Sequence, residues 1–405
     1  MDSMHNAKNY TRDYEYVYRG NTYQVSSEGS ARQYFYDASF GQYNPQFDVI
    51  GPVTVSREYA YYGKNNVNTQ FDQRPWEMVK EACVIADTLL DVDFTQYDND
   101  NDEIVDFVYV IYAGYGEADG GGANTIWPHQ YYIYQYLNLD DTKIYRYACS
   151  NEMDNYTKHH TGIGTFCHEF SHVLGLPDLY ETTGYGDHKT MGQWSILDYG
   201  PYNNDGNTPP LYSAFERSEL GWLALTEMEA GIDSISHLPE LTESNFAYRI
   251  SVPGKPSEYY VLENRQQQGW DSYLPGHGML MWHIDVDTAE WFNNTANNIG
   301  AHQMVDIVEA DKILSENSRD GDAFPGTANI RTWDVRAWDK TLLMSFDDID
   351  ERDGLIRLIQ KGTSFKMPQP RELTTNVEDS CMTIEWTEVD DAVFYTLSIM
   401  RVDGT

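Results

Sequence analysis

The apolar positions of this chain follow a helical period in its first half and a strand period in its second. Over residues 72–90, Val79, Ala82, Cys83, Ala86, Leu89 and Leu90 return at helical spacing. Pro75 suits the first turn because its missing N–H would have no helical partner there, so a long amphipathic helix is predicted. A shorter helix is predicted over residues 30–36, capped by Ser30. Ile163, Phe166, Cys167, Phe170 and Leu174 make a stripe of the same kind, and Pro209-Pro210 opens a helix that Gly221 ends. Residues 107–113 (FVYVIYA) are a continuous β-branched and aromatic run, the pattern of a central strand; residues 144–150 read as another. Residues 47–62 read as strands interrupted at Gly51-Pro52. From residue 225 short strands separated by Gly, Pro, Asp and Asn take over, clearest at 258–265 (EYYVLENR) and 278–285 (GMLMWHID). An α+β fold in three parts is expected: residues 1–224 with a mixed sheet and helices, residues 225–365 as a β-rich domain packed on them, and residues 366–405 as a separate module.

Composition narrows the function more than the fold. The chain has 405 residues, enough for two or three cores, and 64 acidic against 27 basic side chains give a net charge of −37. Such a surface repels nucleic acid and anionic membranes and favours divalent cations. No apolar run approaches the roughly 18 residues that span a bilayer. No signal peptide opens the chain. The four cysteines (Cys83, Cys149, Cys167, Cys381) lie far apart without C-x-x-C, so no disulfide framework follows from them. A monomer is expected.

The candidate chemistry sits at residues 168–178, HEFSHVLGLPD. His168 and His172 are one helical turn apart, so both imidazoles leave the same face and can grip one small cation. Glu169 stands beside the first of them, placed to take a proton from metal-bound water. Gly175 suits a left-handed helix end that turns the chain past Pro177 and presents Asp178 as a third ligand. Three ligands leave the fourth zinc position open, the catalytic arrangement. A chance H-E-x-x-H on an ordinary helix is the bland alternative, and the Gly and Asp at these spacings weigh against it.

A second candidate is the acidic loop 98–106. Asp98, Asp100, Asp102 and Asp106 occupy positions one, three, five and nine of an EF-hand-like calcium loop. Glu103 stands where that loop has Gly, and Tyr109 where it has Glu, so a shorter D-x-D-x-D calcium loop competes with a solvated acidic turn. Asp306, Glu309, Asp311, Asp320 and Asp322 are a weaker cation candidate. His277, His283 and His302 lack ligand spacing among themselves and read as structural, and His129 reads as a packed or surface histidine with a substrate-facing role as the alternative. The glycine-rich stretch 114–122 lacks the ending of a phosphate loop and reads as a flexible loop by the active site.

With these residues the chain resembles the immune inhibitor A family of secreted bacterial zinc metallopeptidases, within the metzincin clan. The likeness covers roughly residues 30–345. It rests on His168, Glu169, His172, Gly175 and Asp178, on the turn SILDYG at 195–200, on the acidic loop before FVYVIYAG, and on YYVLENR and LPGHGMLMWHID downstream. Metzincins carry Met in that turn; here Leu197 takes its place with similar apolar volume, and Met191 is out of register. Tyr199 fits the clan's Tyr two residues on, a candidate donor to the oxyanion. The resemblance implies a metzincin-like catalytic fold, zinc, often calcium, protein or peptide substrates, and a secreted or cell-surface location. Residues 366–370 look like a linker. Residues 371–405, with Trp386 and Tyr395, are similar to the start of a fibronectin type III module of the immunoglobulin-like sandwich class. About 35 residues cannot complete a sandwich of roughly 100, so the chain is expected to be a fragment. Two other readings compete: an adhesin with a relic zinc site, and a zinc hydrolase acting on a glycan or ester. A serine hydrolase is disfavoured because G-x-S-x-G is absent.

Overall fold

The computed structural model describes residues 2–7, 14–18, 20–69, 71–184, 186, 188–228, 235–315, 317–360, 374–378 and 381–385. A short helix α1 (Asp2–Asn6) and an antiparallel hairpin of β1 (Tyr14–Tyr18) and β2 (Asn21–Val25) lead the chain. Helix α2 (Ala31–Ala38) begins where Ser30 caps it: the Ser30 hydroxyl accepts the Gln33 N–H at 3.1 Å. Tyr34 and Phe35 of this helix are fully buried.

Residues 47–58 are not strands, contrary to the sequence expectation. Val49 and Ile50 are exposed, and Phe47 and Val55 reach the cores from irregular backbone, so the alternation there marks no strand face. Tyr59 and Tyr62 instead lie a turn apart on a short helix α3 (Tyr59–Gly63), and Tyr62 packs with Met78 and Val79. These two belong to α4 (Pro75–Leu90), which starts on Pro75 as expected and ends at Asp91 in a left-handed conformation.

The sheet of the first half has three strands, β3 (Val108–Tyr115), β4 (His129–Leu139) and β5 (Thr142–Met153), in the order β3-β5-β4. β3 runs parallel to β5 and β4 antiparallel to it. Residues 107–113 therefore give a flanking strand; β5 is the central one. Strand β4 escapes the hydrophobic pattern because its outward positions are also aromatic: Tyr131, Tyr134 and Tyr136 are exposed rings. The glycine-rich stretch before it is tied down, with Gly121 N–H donating to Gly116 O at 2.8 Å and the Asn65 amide to Glu117 at 2.8 Å.

Helix α5 (Gly164–Val173) carries the candidate ligands, and α6 (Ala214–Glu219) comes after it, opened by a capping box between Ser213 and Glu216. The second half comprises β6 (Thr226–Glu227), β7 (Ile235–Leu238), α7 (Leu241–Ser244), β8 (Tyr248–Val252), β9 (Lys255–Arg265), β10 (Gly278–Asp285), α8 (Thr288–Phe292), β11 (Val305–Ile307), β12 (Trp333–Arg336), β13 (Leu342–Arg352) and β14 (Leu355–Gln360). They form a five-stranded sheet, β11-β10-β9-β8-β6, and a four-stranded one, β12-β13-β14-β7.

One hydrophobic core runs through both halves. It joins Phe35, Phe166, Phe170 and Trp194 to Val261, Leu280, Trp282 and Ile284, and residues up to Lys361 make a single compact unit. A buried polar layer crosses the same junction. The Arg265 guanidinium grips Asp271 through Nε at 2.7 Å and Nη2 at 2.6 Å, and reaches the Leu211 carbonyl at 3.1 Å. Residues 362–405 are a second unit, whose described part is a hairpin of β15 (Thr374–Glu378) and β16 (Cys381–Glu385). The Trp386–Tyr395 pairing lies outside the described residues.

Candidate functional site

Helix α5 is set deep in the molecule by its first residue. A Cβ at Gly164 would stand 1.9 Å from the Pro201 carbonyl oxygen, so no other residue fits. Phe166, Cys167 and Phe170 face the core, while His168, Glu169 and Ser171 are buried on the other flanks. The helix ends in a left-handed turn at Gly175, φ +101°. There the Gly175 N–H bonds the His172 carbonyl, and the Leu176 N–H bonds that of Ser171. This fold-back returns Asp178 to the two imidazoles.

Three atoms converge. His168 Nε2 and His172 Nε2 are 3.2 Å apart, and Asp178 Oδ1 lies 3.1 Å from the first and 3.2 Å from the second. Two donors about 2.0 Å from a common tetrahedral metal stand about 3.3 Å apart, so this triangle has the dimensions of one face of a zinc tetrahedron. The outer ring nitrogens are committed. His168 Nδ1 faces the Ile196 carbonyl at 2.8 Å, and His172 Nδ1 faces that of Leu176 at 2.8 Å. Each carbonyl can only accept, so each Nδ1 carries a proton and each Nε2 is the nitrogen that faces inward. Asp178 is 6% exposed, and its Oδ1 has no aligned hydrogen-bond donor. Three such atoms in contact are stabilised by a shared proton or by a cation among them.

The electrostatics agree. Burial works against charge on His172, but the Asp178 carboxylate outweighs it and raises the imidazole to about 9. Burial likewise opposes charge on Asp178, yet His172 and His168 hold it well below the ordinary carboxylate range. Glu169 goes the other way: burial raises it, against the pull of both imidazoles. A Glu169 carboxylate oxygen lies within 4.8 Å of the imidazole nitrogens, and the backbone N–H of Gln130 on β4 bonds it. It is a buried carboxylate beside the triangle whose proton affinity is raised by burial.

The turn 195–200 forms the floor. Its Ile196 carbonyl orients His168, Leu197 is buried at 1% exposure, and the Ser195 hydroxyl donates to Glu216 of α6 at 2.7 Å. Tyr199 is 59% exposed, and its ring lies 6.2 Å from that of Tyr202. Two tyrosines that sequence reasoning passed over also feel the charges of the site. The Tyr180 ring stacks on His168 at 6.3 Å, and burial, helped by the charge of Asp178, raises its hydroxyl. Both Tyr180 and Tyr202 are raised chiefly by burial, with a contribution from the charge of Glu169. The position of Tyr180, two residues past the third ligand, was the available signal. Asn294 was also missed: its amide bonds both the N–H and the Oδ2 of Asp178, at 2.7 Å each.

In the acidic loop, Asp98, Asp100 and Asp102 bring carboxylate oxygens within 4.8 Å of one another. Glu103, in the place of the usual Gly, adopts φ +66°. Asp106 does not join the trio; it accepts from Asn99. The second acidic candidate is not gathered into a ligand cluster among the described residues. Asp322 bonds Trp194 Nε1 at 3.0 Å and pairs with Arg319 at 3.6 Å. His277, His283 and His302 pair with Glu351, Glu258 and Asp285 as structural groups, and His129 bonds the Trp127 carbonyl and the Tyr147 hydroxyl. Cys83, Cys149 and Cys167 are free and buried. No helix of the described residues is long and apolar enough to cross a membrane.

Residues 2–223 match the family model described as immune inhibitor A peptidase M6, catalytic domain. The pre-pro-metalloprotease PrtV of Vibrio cholerae serotype O1 is 29% identical over 214 residues, which cover 47% of this chain and 23% of that protein. Immune inhibitor A of Bacillus thuringiensis subsp. alesti is 28% identical over 264 residues, covering 55% of this chain and 38% of that protein. The matches thus span well under half the length of these relatives. On the family match, which takes in more than half of its residues, the chain belongs to the immune inhibitor A (M6) peptidase family.

Proposed function

We propose that this chain is a zinc-dependent endopeptidase in which His168, His172 and Asp178 hold the metal and Glu169 is the general base. The observation that carries the reading is the triangle of inward-facing Nε2, Nε2 and Oδ1 atoms with a buried carboxylate next to it. When bound, zinc supplies a Lewis acid that polarises the scissile carbonyl and brings the pKa of water toward about 7. Glu169 accepts the proton of the attacking water and passes it to the leaving amine. Burial favours its neutral form, which suits that second task. A tyrosine hydroxyl donates to the carbonyl oxygen as charge develops there. Tyr199, in the turn, is one candidate; Tyr180 and Tyr202, coupled to Glu169, are the others. A relic site is disfavoured because the base beside the triangle is intact.

The fold of this part is proposed to be of the metzincin type, with Leu197 doing the packing of the clan's Met. Asp98, Asp100 and Asp102 are proposed as a calcium loop. The relatives are named as a pre-pro-metalloprotease and as immune inhibitor A. By analogy we propose protein substrates and a secreted or cell-surface location. The test is cleavage of an unstructured protein such as casein, before and after chelation and zinc restoration. Cleavage that the chelator abolishes and zinc restores supports the assignment. Cleavage indifferent to the chelator removes it.

A further inference from the structure

We infer that Asn294, from the β-rich half, is a positioning residue of the metal site. The inference rests on the proposed zinc site. Asp178 has two carboxylate oxygens and must offer one of them to the metal. Asn294 Nδ2 donates to Oδ2 at 2.7 Å, and Asn294 Oδ1 accepts the Asp178 backbone N–H at 2.7 Å. The two bonds fix the amide in one sense, since the flipped group would set NH₂ against N–H and oxygen against carboxylate. They leave Oδ1 as the free oxygen, aimed at His168 and His172.

The loop that carries Asn294 is itself anchored. Trp291 of α8 donates from Nε1 to the Gly175 carbonyl at 3.1 Å, at the turn that ends the metal helix. Asn297, fully buried, bonds the Leu179 carbonyl at 2.9 Å and both the carbonyl and the N–H of Val305 on β11. The Asp178 segment is thus clamped on both sides from residues that lie 116 to 118 positions further along the chain. The family match ends at residue 223, so the metal centre draws a working part from outside it. Outer contacts of this kind set the orientation and basicity of a ligand, and their loss typically weakens metal affinity by about 10–100-fold.

The test is zinc affinity of the full chain by chelator competition, in a double-mutant cycle with Asp178→Ala. Asn294 has φ +57°, so Asn294→Gly removes the amide without backbone strain. Asn294→Asp keeps an acceptor for the Asp178 N–H but loses the donor to Oδ2. Both variants are expected to weaken zinc binding by about tenfold in the Asp178 background and to have no effect in the Asp178→Ala background. Asn298→Ala, which cuts the neighbouring contact to Thr182, is expected to leave zinc affinity unchanged. Unchanged affinity in the Asn294 variants, or an equal loss in both backgrounds, overturns the inference. Wild-type affinity that Asp178→Ala does not reduce would instead remove the three-ligand reading on which it rests.

Discussion

Two clusters of side chains that could hold a metal ion stand among the described residues, and they are built in opposite ways. The first draws His168 and His172 from a helix and Asp178 from the chain after it, buries His168 and Asp178 with His172 half-buried beside them, and leaves Asp178 Oδ1 without a hydrogen-bond donor. The second takes Asp98, Asp100 and Asp102 from five consecutive residues, exposed or half-exposed. Its oxygens are already served. Asp98 accepts the N–H groups of Asp102 and Glu103 at 3.0 Å each, and Asp102 accepts that of Ile104 at 2.8 Å. The number of ligand residues is the same. What differs is whether the fold leaves buried lone pairs unserved, a state that costs free energy until a cation arrives.

The largest effect tests the base beside the first cluster. Glu169→Gln keeps the size of the side chain and removes its proton acceptor. Zinc stoichiometry should stay at one per chain while the rate of casein cleavage falls by about 10²–10⁴-fold or more. A variant that binds zinc and retains full activity would end Glu169's role. Next in size is Asp178→Ala. It should weaken zinc binding more than either Asn294 variant, because it deletes a ligand and not merely its support. Equal losses would mean that Asp178 acts only through the packing it shares with Asn294.

A third effect comes from the proton that takes the cation's place in the metal-free protein. With His172 raised to about 9, zinc uptake at pH 7.5 should release about one proton, measurable by calorimetry in buffers of different ionisation enthalpy. The stability consequence has a definite sign. A group raised in the folded state contributes stability that is fully present below its unfolded value, near 6.5, and is lost as pH rises through about 9. The melting temperature of the chelated protein should therefore fall between pH 6.5 and 9. The zinc-loaded protein should not show that fall. A flat profile for the chelated protein would mean that the two imidazoles and Asp178 do not share a proton.

The contrast also explains what the sequence could disclose. His168, Glu169, His172, Gly175 and Asp178 are legible because one helical turn and one left-handed turn suffice to bring them together. Ser30, Pro75 and the stripe of α5 are legible for the same reason: caps and helical faces are local. Asn294 is not, since it reaches Asp178 across 116 residues and only the packing of α8 on the end of α5 places it. Strand β4 was hidden by tyrosines on both faces, and residues 47–58 were misread because Phe47 and Val55 pack against the cores from irregular backbone while Val49 and Ile50 stay exposed. The rank of 107–113 within its sheet depended on where β5 inserted, which no local pattern records.

The smallest effect belongs to the acidic loop. Its carboxylates already hold their own backbone, so a calcium ion there gains mainly by relieving like charge in a chain of net charge −37. If the loop binds at about 10⁻⁴–10⁻³ M, as flexible extracellular modules do, 10 mM calcium corresponds to roughly 10–100 times Kd. That is about 1.4–2.7 kcal/mol of stabilisation. For a unit of this size the melting temperature should rise by only a few degrees. Asp100→Asn should abolish the rise and leave zinc affinity and turnover per folded molecule unchanged. Calcium that raises the wild type and Asp100→Asn alike would be acting elsewhere on the acidic surface. A calcium effect on zinc affinity that Asp100→Asn removed would show the two clusters to be coupled, and their opposite construction would then serve one centre.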